Sequence, residues 1–184
     1  MIDKNQTHHD VAVLLLLRHI CTIVLTFLLL IVIPHLAWAE IQDGKANRIV
    51  SGIISFTHWP GVKRPELCVL SSARHLSLPE NTASSTATFT VVYLASVNDF
   101  SMHRCDAVYF GDQTPQQQVD SLQHFTGRTV LSLAENNAEC TVGAAFCMIF
   151  QPNHTHFSVN LDSLARSGVR VSPDVLLLSR EGGE

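Results

Sequence analysis

The sequence has 184 residues, of which 46% are hydrophobic and only 15% charged, with 12 lysines and arginines against 16 aspartates and glutamates. This length accommodates one domain. The net charge of −4 and the lack of any basic run exclude an obvious nucleic-acid-binding surface, which needs clustered lysine and arginine. The apolar excess and the odd count of five cysteines both direct attention to the amino-terminal segment.

The amino-terminal segment has the pattern of an export signal. Arg18 precedes an uncharged apolar run, Ile20–Ile33, and Ala37 and Ala39 form the A-x-A pattern that signal peptidase recognises. We therefore expect residues 1–39 to be a cleaved signal peptide and residues 40–184 to be a single exported domain. The competing interpretation is an uncleaved membrane anchor, although Arg18 interrupts the apolar stretch and a span needs about 20 apolar residues.

The exported part begins with one helical pattern and continues with short apolar runs. Four apolar residues at helical spacing predict a first helix over Ile41–Thr57, closed by Pro60. They are Ile49, Val50, Ile53 and Ile54. The segment Leu76–Ala87, rich in Ser, Thr and Pro, is expected to be a loop or a weak helix. The continuous apolar runs predict strands at Leu67–Leu70, Phe89–Ala95, Ala107–Phe110 and Thr129–Ala134.

A second helix is predicted between the last two of these strands. Thr114 suits the N-cap and Pro115 the first helical position of a helix that runs to Phe125 and stops before Gly127. Its expected apolar face consists of Val119, Leu122 and Phe125.

The carboxyl-terminal part combines a hairpin with two short helices. Ala144–Phe150 and His156–Asn160 predict two strands joined by a tight turn at residues 151–153. Asn160 is expected to cap a helix over Leu161–Ser167, and a last helix is expected over Asp174–Arg180. Strands that are continuously apolar indicate a sheet covered on both faces. The sequence therefore predicts an α/β three-layer sandwich with a mostly parallel sheet of five or six strands and a late antiparallel hairpin.

Four cysteines remain beyond the expected cleavage point: Cys68, Cys105, Cys140 and Cys147. In an exported protein an even count argues for disulfides, and four cysteines allow three pairings. Cys140 and Cys147 are separated by a bend that contains Gly143, which makes them the natural local pair and leaves Cys68 for Cys105. Buried free thiols and metal binding are the rival interpretations, but the C-x₂₋₄-C spacing typical of metal sites is absent.

Several segments taken together resemble a known family. They are VSGIISFTHWP (Val50–Pro60), ELCVLSS (Glu66–Ser72), CDAVYFG (Cys105–Gly111) and the long block Ala134–Arg180. The block contains the patterns E-C-x₆-C and V-N-L-D-x-L-x-R-S-G-V. This combination resembles the YfiR/HmsC family of periplasmic regulators, and the resemblance covers nearly the whole exported part.

The resemblance implies a regulatory function without catalysis. Such a protein acts in the periplasm and represses an inner-membrane diguanylate cyclase, YfiN, by binding its periplasmic domain, which lowers cyclic-di-GMP and biofilm formation. An outer-membrane lipoprotein, YfiB, sequesters the repressor and releases the cyclase. The resemblance also implies a homodimer, disulfides Cys68–Cys105 and Cys140–Cys147, and repression that is tuned by redox state.

Five residues are candidate partner contacts. Phe146 is predicted on a strand, where core packing is the ordinary interpretation, and the resemblance makes it a candidate aromatic anchor for the cyclase. Trp59 either covers the end of the first helix or lines a partner groove. Asp162, Arg166 and Arg170 lie in the matched late block, as solvated charges or as the polar rim of an interface.

No pattern in the sequence indicates catalysis, a cofactor or a metal ion. Paired carboxylates, G-x-S-x-G, G-x-G-x-x-G and phosphate-binding loops are all absent from the sequence. His154 and His156 are expected at a polar hairpin end rather than in a metal site. The alternative to a protein-binding regulator is a periplasmic small-molecule-binding sensor, with its ligand in the crevice at the carboxyl ends of the parallel strands.

Overall fold

A computed structural model describes residues 18–22, 44–80, 88–152 and 154–179. Residues 18–22 are helical, and the rest of the expected signal peptide lies outside the described residues, so its cleavage stays a prediction. No helix in these ranges is long and apolar enough to cross a membrane. The chain divides into two units, of which the second, Gln42–Glu184, contains both sheets and both cystines.

The second unit alternates strands and helices, as the apolar runs predict. In chain order the elements are α1 (Gly44–Ser55), β1 (Thr57–His58), β2 (Glu66–Leu70), β3 (Thr90–Leu94), β4 (Ala107–Phe110), α2 (Pro115–Leu122), β5 (Leu131–Ala134), β6 (Phe146–Gln151), β7 (His154–Val159), α3 (Leu161–Arg166) and β8 (Arg170–Val171). Short 3₁₀ segments occupy Val97–Met102, Gln123–Phe125 and Pro173–Ser179. The last of these replaces the α-helix expected over Asp174–Arg180, of which Arg180 lies outside the described residues.

Six strands form one sheet in the order β3-β2-β4-β5-β6-β7. The first five are parallel, and β7 runs antiparallel to β6 as the predicted hairpin. The sheet separates two cores, and residues alternate between them along β2: Leu67 and Val69 face one, while Cys68 and Leu70 face the other. The first core is covered by α1 and the second by α2 with two 3₁₀ segments. The predicted three-layer α/β sandwich is confirmed.

Helix α1 has the predicted apolar face but ends earlier than predicted. Its buried residues include the four that recur at helical spacing. The helix stops at Ser55, before Pro60, because residues 57–58 leave it to pair with β8. This small antiparallel sheet of β1 and β8 has no counterpart in the sequence prediction.

Helix α2 begins as predicted, and Leu122 and Phe125 of its predicted apolar face contact the second core, whereas Val119 belongs to neither core. Thr114 Oγ1 accepts a hydrogen bond from the backbone of Gln117 at the helix start. The inward positions are polar, since Gln118 and Ser121 are buried while Val119 and Leu122 are only partly so. Gln118 is tolerated in the interior because both polar atoms of its amide have hydrogen-bond partners within the domain.

Helix α3 follows the prediction closely. Asn160 Oδ1 accepts a hydrogen bond of 3.0 Å from Ser163 N, which satisfies one of the free N–H groups of the first turn. The helix ends at Arg166, and Gly168 follows with φ +76°. The positive φ explains why the chain turns there toward β8, since glycine adopts that conformation without a Cβ penalty.

Candidate functional site

The first cystine lies deep inside the sheet. It joins Cys68, on β2, to Cys105, just before β4, with the Cα atoms 5.4 Å apart. Neither residue has exposed surface. The Glu66 carboxylate accepts a hydrogen bond from Cys105 N, and one of its oxygens lies close to both sulfur atoms of the cystine. Because cystine sulfurs are not thiolate ligands, the group suits a buried cross-link rather than a metal ion.

The second cystine closes a short ring at the surface. Cys140 and Cys147 enclose residues 140–147, here called the cystine ring, with Cα atoms 5.6 Å apart. Cys140 and Gly143 both adopt positive φ, which allows the chain to double back within the ring. Cys147 is fully buried at the start of β6, whereas Val142 at the crest is 47% exposed. This cystine is therefore the nearer of the two to solvent.

A buried polar network ties helix α2 to the cystine ring. Gln118 Oε1 accepts hydrogen bonds from Asn137 Nδ2 (2.9 Å) and from Ala144 N (3.1 Å). Asn137 also donates to the carbonyl oxygen of Val142, and its own Oδ1 accepts from Cys140 N. Two amide side chains outside the ring, those of Gln118 and Asn137, therefore fix its position together with the disulfide.

Replacing Gln118 by leucine is expected to lower the free energy of unfolding by about 2–3 kcal/mol, because the buried Ala144 N–H loses its acceptor. Chemical denaturation of the purified protein measures the change. Gln116→Leu is the matched control, since Gln116 is exposed on the same helix and such surface changes stay within about 0.5 kcal/mol. Equal midpoints for the two variants would contradict the role given to the network.

The structure places Phe146 in the core. Its side chain has no exposed surface, and its ring lies 5.5 Å from that of Phe157. A direct contact between Phe146 and a partner would need the β6–β7 hairpin to open. Phe146 is therefore excluded from the candidate interface, because its surroundings are those of an ordinary core residue.

The other four candidate contacts belong to neighbouring elements. The register of β1 and β8 sets His58 opposite Arg170, so that Trp59 follows directly beside this pair. Trp59 is partly buried and donates to the carbonyl oxygen of Ile54, at the end of α1. Asp162, Arg166 and Arg170 are exposed on α3 and β8. We call Trp59, Asp162, Arg166 and Arg170 the α3–β8 surface.

Three exposed leucines also lie in the carboxyl-terminal part, and sequence reasoning missed them. Leu161 begins α3 and is 72% exposed, and Leu176 and Leu177 of the last 3₁₀ segment are 55% and 49% exposed. Val175 is the buried residue of that 3₁₀ segment, and the two leucines that follow it lie largely in solvent. Exposed leucines beside charged side chains are typical of contact surfaces.

At the carboxyl edge of the sheet, the Glu135 carboxylate binds the backbone of the loop that follows β2. Its two carboxylate oxygens accept hydrogen bonds from Arg74 N (2.7 Å) and His75 N (3.1 Å), and one also accepts from the Tyr109 hydroxyl. Burial and then the charge of Glu135 raise the pKa of Tyr109 well above its ordinary value. Tyr109 therefore stays a neutral donor, and the arrangement is structural.

The crevice predicted at this edge is partly closed. β3 lies on one side of β2 and β4 on the other, so the switch point of the sheet, where a ligand crevice is expected, lies between β2 and β4. Gly111, after β4, packs against the backbone of Ser72 and Ala73, after β2. Two cavities of about 500 and 260 Å³ remain, and Asp112 lines both. Both contain carboxylates, which disfavours anionic ligands there.

A third cavity, of about 330 Å³, lies toward the opposite edge, between α3 and the segment that joins α2 to β5. Arg128 and Arg166 line it, together with Gly143 of the cystine ring. We call it the arginine pocket. Its residues come from three separate segments of the chain, residues 119–132, Gly143 and residues 163–167, and no local pattern marks them.

Comparison with protein families settles the relationship that the motifs indicate. Residues 45–180 match the family model described as YfiR/HmsC-like. The chain belongs to the YfiR/HmsC-like family. At the level of the family, membership supports a periplasmic regulator of a diguanylate cyclase, in a family that is regulatory rather than catalytic.

The YfiR/HmsC-like match spans the features described above. Its range includes all six strands of the sheet, both cystines, the α3–β8 surface and the arginine pocket. The family resemblance inferred from the sequence is thereby confirmed.

Proposed function

We propose that this YfiR/HmsC-like protein represses an inner-membrane diguanylate cyclase of the YfiN type by binding its periplasmic domain, which lowers cyclic-di-GMP and biofilm formation. The observation that carries the proposal is the family match over residues 45–180. Repression of this kind needs no chemistry from the repressor. It needs tighter binding to the inactive state of the cyclase, and a shift from 1:99 to 99:1 requires about 5.5 kcal/mol of difference.

The α3–β8 surface is the proposed contact region for the cyclase. Its exposed charges and the exposed Leu161 combine an apolar contact with a polar rim, which is the usual composition of a transient interface. Trp59 contributes a large, partly exposed ring, a residue type that often dominates binding energy.

We propose further that residues 1–39 are removed as a signal peptide and that residues 40–184 act in the periplasm as a homodimer. An outer-membrane lipoprotein of the YfiB type would release the cyclase by sequestering this protein. The proposed redox tuning acts through the Cys140–Cys147 bond, because that cystine lies nearer the surface and holds the cystine ring.

Cellular cyclic-di-GMP tests the proposal. We expect its concentration to rise when this gene is deleted in a strain that expresses the cyclase, and to stay unchanged when the cyclase gene is deleted as well. An unchanged level in the first strain, under conditions that repress the cyclase, would show that this protein is not its repressor.

Complementation of the deletion strain tests the contact region. We expect Asp162→Lys and Arg170→Glu to restore repression poorly, because reversed charges at an interface rim repel the partner. Asp120→Lys is the matched control, since Asp120 is exposed on α2, outside the α3–β8 surface. If all three variants repress like the wild type, the contact lies elsewhere on the molecule.

A small-molecule sensor is the second candidate function. The observation that favours it is the arginine pocket, whose volume is within the range of ligand sites in proteins. The two functions are compatible, because a ligand that binds one conformation of a repressor changes its affinity for a partner.

A further inference from the structure

The arginine pocket carries permanent positive charge on an acidic protein. The lining residues include Arg128 and Arg166 and no aspartate or glutamate, while the chain as a whole has a net charge of −4. Within the described residues, neither arginine forms an ion pair; the recorded pair joins Arg104 to Asp106. Guanidinium groups do not lose their proton in proteins. The pocket therefore presents two unneutralised cations at every physiological pH.

Each guanidinium group has one contact within the domain. Arg166 Nη2 donates a hydrogen bond of 3.1 Å to Ser163 Oγ, one turn earlier on α3. The Arg128 guanidinium lies over the Phe125 ring, 5.2 Å from its centroid. These contacts restrict the two exposed side chains, and each arginine keeps further N–H donors for a carboxylate.

One wall of the pocket is apolar. Val119 and Leu122, the two partly buried residues of the apolar α2 face, line the pocket with Phe125 and Val130. Their partial exposure therefore has a structural reason, because the apolar face of α2 borders a cavity. A ligand that fills the pocket meets positive charge on one side and hydrocarbon on the other.

We propose that the arginine pocket binds a small carboxylate with an apolar body, its carboxylate between Arg128 and Arg166 and its body against Val119 and Leu122. The proposal deepens the second candidate function by naming the ligand class, and it does not depend on repression of a cyclase. Gly143 of the cystine ring lines the same pocket. A ligand that fills the pocket would therefore lie beside the cystine ring.

Isothermal titration of the purified full chain at low ionic strength tests the ligand class. The probes are hydrocinnamate, its neutral amide hydrocinnamide, and inorganic phosphate, which has charge without an apolar body. We expect hydrocinnamate to bind and the amide to bind at least about tenfold more weakly, since charge-assisted hydrogen bonds are about twice as strong as neutral ones. Phosphate is also expected to bind more weakly. Equal affinities for acid and amide, or no binding of hydrocinnamate at millimolar concentration, would overturn the proposal.

Substitutions locate the site. We expect Arg128→Gln and Arg166→Gln each to weaken hydrocinnamate binding at least about tenfold, because each removes one partner of a charged contact. Arg48→Gln makes the same chemical change on an exposed residue of α1 that lies outside the pocket lining, and it is expected to bind like the wild type. Wild-type affinity in both pocket variants would exclude this site. Because binding is read on the isolated protein, a failure here is distinct from a failure of the repressor proposal.

Discussion

Replacing Gly111 by alanine is expected to lower the free energy of unfolding by about 3 kcal/mol, at the upper end of the range for overpacked sites. A Cβ at this position would overlap the backbone nitrogen of Ala73 and the carbonyl carbon of Ser72. Backbone atoms cannot move aside as the end of a flexible side chain can, so the loops after β2 and β4 would have to separate. The midpoint of guanidinium chloride unfolding measures the loss.

Gly44→Ala is the matched control for this substitution. Gly44 begins α1, and a Cβ there would meet no atom within 4 Å. Its φ is ordinary, so alanine adds helix propensity and no strain. We expect this variant to be as stable as the wild type or slightly more so. If the Gly111→Ala variant had the same unfolding midpoint as Gly44→Ala, the loops after β2 and β4 would not be in contact.

Removing the two cystines separately is expected to reveal unequal contributions. The Cys68–Cys105 bond closes a sequence separation of 37 residues and the Cys140–Cys147 bond one of 7. On the loop-entropy model, the paired alanine variants lose about 4 and about 2.5 kcal/mol respectively. Denaturation of both double variants and of the wild type, all without reductant, provides the comparison.

The order of these two losses is the critical outcome. Alanine suits all four positions, since the cysteines are buried and leave no polar group behind. If the Cys140–Cys147 variant proved the less stable, the network through Gln118 would depend on the ring, and loop entropy would not be the main contribution. Wild-type stability in both variants would contradict the presence of the bonds in the folded protein.

The parts of the fold that could be predicted from the sequence are those marked by short-range patterns. The spacing of Ile49, Val50, Ile53 and Ile54 sufficed for α1 because all four face one core. Thr114 and Asn160 marked the starts of α2 and α3, since a capping side chain acts on its own first turn. Continuous apolar strands indicated two covered faces, which is a property of the strand itself.

The features that escaped prediction depend on contacts between distant segments. The two-residue strands β1 and β8 are too short to show a sequence pattern, and each is a strand because it pairs with the other. Gln118 resembles a surface residue of an amphipathic helix until Asn137 and Ala144 are placed beside it. The candidate role of Phe146 as an anchor came from the family resemblance, while its burial follows from packing against Phe157.

The connection from β5 to β6 has a wider consequence for this architecture. Neighbouring parallel strands are usually joined by a helix that covers the sheet, but residues 135–145 contain no helix and carry the first part of the cystine ring instead. Successive right-handed crossovers in one direction lie on the same face, so a helix here would have covered β5 next to α2. Its omission leaves Ser132 of β5 at the base of the arginine pocket. The Cys140–Cys147 cystine thus restrains a connection that lacks a helix. The arginine pocket lies where such a helix would pack on the sheet.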